Sequence, residues 1–69
     1  MKVMKMITPL RLARLQNGYS QQGLALLTDI PQVNLSYAER GHRNALTPEQ
    51  WTRLAETLEV PLADLLSDS

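Results

Sequence analysis

The 69-residue sequence predicts an all-α domain of five short helices. Three observations carry that reading. Helix-start signatures stand at Thr8-Pro9, Ser20 and Thr47-Pro48, and helix stops stand at Asn17-Gly18, Arg40-Gly41 and Glu59-Val60-Pro61. The third is that no run of strand length alternates apolar with polar residues. Residues 1–7 are expected to form an N-terminal arm, 8–66 the helical domain and 67–69 a frayed acidic end.

Thr8 offers an N-cap hydroxyl and Pro9 a residue preset for the first helical position, so helix 1 should run to about Gln16. Leu10 and Ala13 should face inward, with Leu12 or Leu15 beside them. Asn17-Gly18 ends it, since both residues tolerate the left-handed conformation. Ser20 caps helix 2, about Gln21 to Leu27, where Gly23 weakens the helix and replaces the Glu of a capping box. Thr28-Asp29-Ile30-Pro31 makes a tight turn, and helix 3 runs from Pro31 or Gln32 to about Glu39. After a loop, Thr47-Pro48 starts helix 4, which puts Trp51, Leu54, Ala55 and Leu58 on one buried stripe. A last helix from about Pro61 to Leu66 contributes Leu62, Leu65 and Leu66.

Composition narrows the function. The chain has no cysteine and a single histidine, which offers neither a nucleophile–base pair nor a metal set, so no catalysis, cofactor or metal is expected. Cysteine-free composition suits a reducing cytoplasm. Lys5 and Arg11 interrupt the early apolar run, and no stretch approaches the roughly 20 apolar residues that span a bilayer. Net charge is zero, yet it is split unevenly. Residues 1–46 carry six basic and two acidic side chains, +4, whereas residues 47–69 carry one basic and five acidic, −4. A dipolar molecule of this kind can turn its basic side to a polyanion.

The stretch from Ser20 to Gly41, SQQGLALLTDIPQVNLSYAERG, organises the chain. Its two helices of about two turns are too short to stand alone. Held by neighbours at a fixed angle, the second can present its outward side chains to a partner, which is the physical idea of a helix-turn-helix. Ser20-Gln21, Leu24-Ala25, Ile30, Leu35-Ser36 and Glu39-Arg40-Gly41, followed by LAETLEVPLADLL from Leu54, resemble the lambda-repressor-like (Cro/XRE-type) helix-turn-helix family over residues 8–66.

That resemblance implies a sequence-specific, double-stranded DNA-binding transcription regulator, a repressor, of bacterial or phage setting. It would act on the nucleoid as a homodimer on a palindromic operator. Gln32, Val33, Tyr37 and Ser36 match base-reading positions, and Gln21, Asn34, Arg40, Arg43 and Asn44 match phosphate contacts. Arg14 and Glu39 match a structural salt bridge, and pairing would use the loop before helix 4 and the C-terminal helix, Leu46 to Pro48 and Leu62 to Ser69. Five positions depart from the family pattern. Asp29 and Glu59 stand in place of glycines, so the cap at Glu59 is expected to be strained or differently shaped, and Pro31 replaces a Ser or Thr. Val33 is also compatible with a core position. Leu26 and Leu27 stand where relatives carry polar residues. They leave room for cover by Met4, Met6 or Ile7, or for an alternative: a protein-interaction module of the same fold, antitoxin-like or adaptor, with a partner protein at these leucines.

Overall fold

Thr8 and Thr47 show how local chemistry starts the helices of this protein, seen here in a computed structural model that describes residues 7–67. Thr8 Oγ1 accepts the Arg11 N–H of α1 (Pro9–Gln16) and donates to the Glu39 carbonyl at 2.6 Å, so one hydroxyl ties two helix ends together. Thr47 and Gln50 form a reciprocal capping box on α4 (Pro48–Leu58), with bonds of 2.9 and 3.1 Å. Ser20 caps α2 (Gln21–Thr28) by accepting the Gly23 N–H at 2.9 Å. A Cβ at Gly23 would stand 3.0 Å from that Oγ, so the glycine leaves the cap its space. α3 (Gln32–Glu39) starts after Pro31, whose carbonyl accepts the Asn34 and Leu35 N–H groups without a side-chain cap. A 3-10 turn, Arg43–Ala45, and α5 (Leu62–Leu65) complete the order. The expected arm lies outside the described residues as far as residue 6, as do residues 68 and 69 of the acidic end.

The core gathers Leu10, Leu24, Leu35, Leu54 and Leu58 as fully buried side chains, with Ile30, Leu46, Trp51 and Leu65 around them. The α4 stripe lies as its spacing predicts, and the Trp51 indole N–H donates to the Arg43 carbonyl at 3.0 Å, which satisfies the ring's one polar atom. On α1 the expectation needs correction: Leu12 and Leu15 are exposed, and Arg14 is buried in their stead. Leu10 sets the inward face, and the residues three and four positions on are Ala13 and Arg14; positions 12 and 15 fall to its sides. Bonds between residues distant in the sequence then lock the helices. Asn17 Nδ2 donates to the Leu58 carbonyl at 3.3 Å, and Arg53 Nη1 on α4 donates to the Thr28 carbonyl at 2.7 Å, closing the end of α2.

Two turns are built alike. Asp29 (φ 58°, ψ 40°) and Glu59 (φ 59°, ψ 42°) are both left-handed, although neither is glycine. The next residue turns back in each case: Ile30 N–H donates to the Ala25 carbonyl and Val60 N–H to the Ala55 carbonyl, both at 3.1 Å. This is the closing bond of a Schellman motif. Ile30 is buried and Val60 packs against the core, so apolar burial offsets the backbone strain. The cap at Glu59 therefore keeps the shape that glycine would give it: of the two expected outcomes the strained cap is found and the change of shape is not.

Left-handed backbone costs an ordinary residue about 1–2 kcal/mol, and a carboxylate is also unfavourable at a helix C-terminus. Glu59→Gly should therefore raise stability by about 0.5–1 kcal/mol after the added chain entropy of glycine is subtracted. Thermal unfolding should show a midpoint several degrees higher, on the order of 4–8 °C per kcal/mol for a domain this size. Glu59→Ala, which removes the carboxylate but keeps the strain, should gain less, and equal midpoints for the two variants would remove backbone strain as the cause.

Candidate nucleic-acid interface

The site grows from a buried ion pair. Arg14 Nε meets Glu39 Oε2 at 2.5 Å, and Nη2 meets Oε1 at 3.1 Å, while Nη1 donates to the Tyr19 carbonyl at 2.9 Å. The two residues are 8% and 5% exposed, so the fork-to-fork geometry operates where water competes little. Glu39 is the last residue of α3, which makes the pair a bolt between α1 and the end of that helix.

The bolt continues outward. Gln21 Nε2, in the first turn of α2, donates to Glu39 Oε1 at 3.3 Å. Gln32 Nε2, in the first turn of α3, donates to Gln21 Oε1 at 3.3 Å. Four side chains thus link three helices and end on exposed Gln32. The Gln32 amide still offers one N–H and its carbonyl oxygen, a donor and an acceptor side by side.

Around Gln32 the structure places the other candidate readers of α3. Val33 is 57% exposed and Tyr37 46%, so Val33 belongs to the surface and the core alternative is set aside. Ser36 is partly buried and lines a depression with Arg11, Arg14, Gln21, Glu39 and Arg40. Arg40 is exposed, with its guanidinium carbon 4.8 Å from the centre of the Tyr37 ring. Asn44 is exposed in the 3-10 turn. Two candidates are turned to structural work. Asn34 Nδ2 donates to the Ala45 carbonyl at 3.3 Å, and Arg43 Nη2 donates to the Leu66 carbonyl beyond α5. Leu26 and Leu27 stand exposed at 76% and 61% among the described residues; Met4 and Met6 lie outside them.

Arg11 escaped the sequence reading. It is exposed, one turn before Arg14, and lines the same depression as Arg40 and Gln21. The spacing of three to Arg14 was the available signal. Four exposed acidic side chains, Glu49, Glu56, Glu59 and Asp64, lie on or beside α4 and α5, whereas Asp29 is exposed in the turn before α3 and lines a depression with Gln32. Among the described residues no cluster of His, Asp or Glu could hold a metal ion, and no helix is long and apolar enough to cross a membrane.

Removing one partner of a buried pair strands the other charge, which typically costs about 3–5 kcal/mol. Arg14→Met and Glu39→Leu should each destabilise by roughly that much, while the double variant should recover a large part of the loss. Urea unfolding of the four proteins measures this; additive losses would refute the coupling.

A model of the helix-turn-helix family matches residues 10–65, from the first buried leucine of α1 to the buried leucine of α5. No curated protein and no solved structure gives a significant match. The family match agrees with the resemblance drawn from Ser20 to Gly41 and with α2, turn and α3 as they are folded. The chain therefore belongs to the lambda-repressor-like (Cro/XRE-type) helix-turn-helix family of DNA-binding domains.

Proposed function

We propose that this domain is a sequence-specific transcription regulator, a repressor, that lays α3 in the major groove of double-stranded DNA. The carrying observation is the side-chain chain Arg14–Glu39–Gln21–Gln32, which holds an exposed amide in place at the start of α3. A fixed amide with one donor and one acceptor matches adenine N7 and N6. Exposed Val33 can meet a thymine methyl, and Tyr37 and Ser36 can bond to neighbouring base edges.

Phosphates would be met on either side. Ser20 satisfies the Gly23 N–H and leaves those of Gln21 and Gln22 at the positive end of α2, beside the Gln21 side chain. Arg40, Arg11 and Asn44 add exposed donors. Asn34 and Arg43 would contact phosphate only by sharing or exchanging their bonds to the Ala45 and Leu66 carbonyls. Repression needs no more than occupancy of the operator, which fits a chain whose exposed donors gather around α3.

Pairing into a homodimer on a palindromic operator, with DNA assisting assembly, is supported by an apolar groove. Leu46, Pro48, Trp51, Leu62 and Leu66 line it, together with Arg43, Asn44 and Thr52. Such a regulator works on the nucleoid, in the cytoplasm of a bacterium or a phage host. A second reading, an antitoxin-like or adaptor module for a partner protein, rests on the exposure of Leu26 and Leu27.

Selection of bound duplexes from a random pool separates the two readings. The DNA reading expects an enriched palindrome with half-sites about one helical turn apart, and binding that weakens steeply as salt rises. No enrichment even at low salt would sink it. Gln32→Ala should cost about 1–3 kcal/mol and relax preference at one or two base pairs, leaving the salt slope unchanged.

A further inference from the structure

Tyr37 sits on the outer side of α3, half exposed, one turn beyond Val33. An isolated tyrosine on a helix surface would sample more than one rotamer and read a base edge poorly. Here the chain folds back around it. The Tyr37 carbonyl accepts both the Arg40 N–H at 3.0 Å and the His42 N–H at 3.1 Å, and Gly41 at φ 104° makes the reversal. That backbone turn delivers two side chains to the ring. The Arg40 guanidinium carbon lies over the face, 4.8 Å from its centre, and the His42 ring meets it at 80° with centres 5.9 Å apart.

On this arrangement we infer that Arg40 is a positioning residue for base readout, acting through the face of Tyr37, in addition to any contact it makes with phosphate. The inference rests on the proposal that α3 reads bases. A planar guanidinium stacks on an aromatic face and keeps its edge N–H groups for a second partner, so one side chain can fix Tyr37 and meet a phosphate together. A lysine at position 40 would keep the charge and lose most of the stack. Charge and positioning are thereby separable.

The test compares wild type, Arg40→Lys and Tyr37→Ala on the preferred duplex and on its single-base variants across a salt series. Tyr37→Ala identifies the base pair that Tyr37 reads. Arg40→Lys should lower discrimination at that same pair by about two- to fivefold, the worth of an exposed cation–π contact, with the salt slope unchanged. Discrimination left intact by Arg40→Lys, beside a Tyr37→Ala variant that loses it, overturns the positioning role while base readout stands. Tyr37→Ala without effect at any base pair overturns it as well, as does failure of wild type to bind duplex DNA, which sinks the functional reading too. A measurement without DNA keeps the stack itself accountable. In the free protein the Arg40 side-chain protons should show an upfield ring-current shift that disappears in Tyr37→Leu, and its absence in wild type overturns the inference.

Discussion

Arg14 and Glu39 place two full charges inside a core whose other buried side chains, among the described residues, are leucines, alanines, Ile30, Trp51 and the hydroxyl-bearing Thr28. In a domain of this size only about 60% of the unfolded chain's surface is buried, so the apolar core has little to spare. The pair is tolerable because its geometry is complete: two contacts join the forks, and the remaining guanidinium nitrogen is satisfied by the Tyr19 carbonyl. What it supplies is direction. Leucines alone would hold α3 against α1 and α2 while permitting small slides and rotations, whereas a bidentate bond admits one register. The neighbouring Thr8 hydroxyl, bonded to the Glu39 carbonyl, fixes the same point through the backbone.

The opposite end of α3 is set by strain and burial. Asp29 enters a left-handed turn that a glycine would enter freely, and Ile30 then drops into the core as Pro31 launches the helix. Arg53 reaches across from α4 to the Thr28 carbonyl and closes the helix end just before that turn. α3 is thus held at its start by an apolar anchor and at its end by an ionic one. Gln32 is coupled to the ionic anchor through Gln21, although it stands at the other end of the helix.

The sequence disclosed most where the chemistry is local. Thr8-Pro9, Ser20 and Thr47-Pro48 signal helix starts because a cap is made within three residues, and Trp51, Leu54, Ala55 and Leu58 fill enough turns to define a face. An eight-residue helix defines its face less sharply, which is why α1 seemed to offer Leu12 or Leu15 to the core when Arg14 takes the place. At Glu59 the missing glycine left open whether the cap would be strained or reshaped; the left-handed form is kept, with the Val60 N–H bonded to the Ala55 carbonyl and Val60 packed against the core. The resemblance pointed to Arg14 with Glu39 and to Gln21 as a phosphate contact, but neither composition nor spacing contains the 3.3 Å steps that join them to Gln32. Arg43 and Asn34 illustrate the reverse case. Side chains chosen as ligands by position are drawn to the Leu66 and Ala45 carbonyls once the loop folds.

On the proposed reading, the buried pair orients Gln32 for a base through Gln21. The most direct measurement is a binding cycle on one preferred duplex and its variants at the base pair where Gln32→Ala loses discrimination, using wild type, Gln21→Ala, Gln32→Ala and the double variant. If the chain of bonds is what orients Gln32, Gln21→Ala will lose discrimination at that same base pair, and adding Gln32→Ala will cost little more there. A Gln21→Ala protein that weakens on every sequence alike while keeping full discrimination at that pair would contradict it, leaving Gln21 a phosphate ligand and Gln32 a reader on its own.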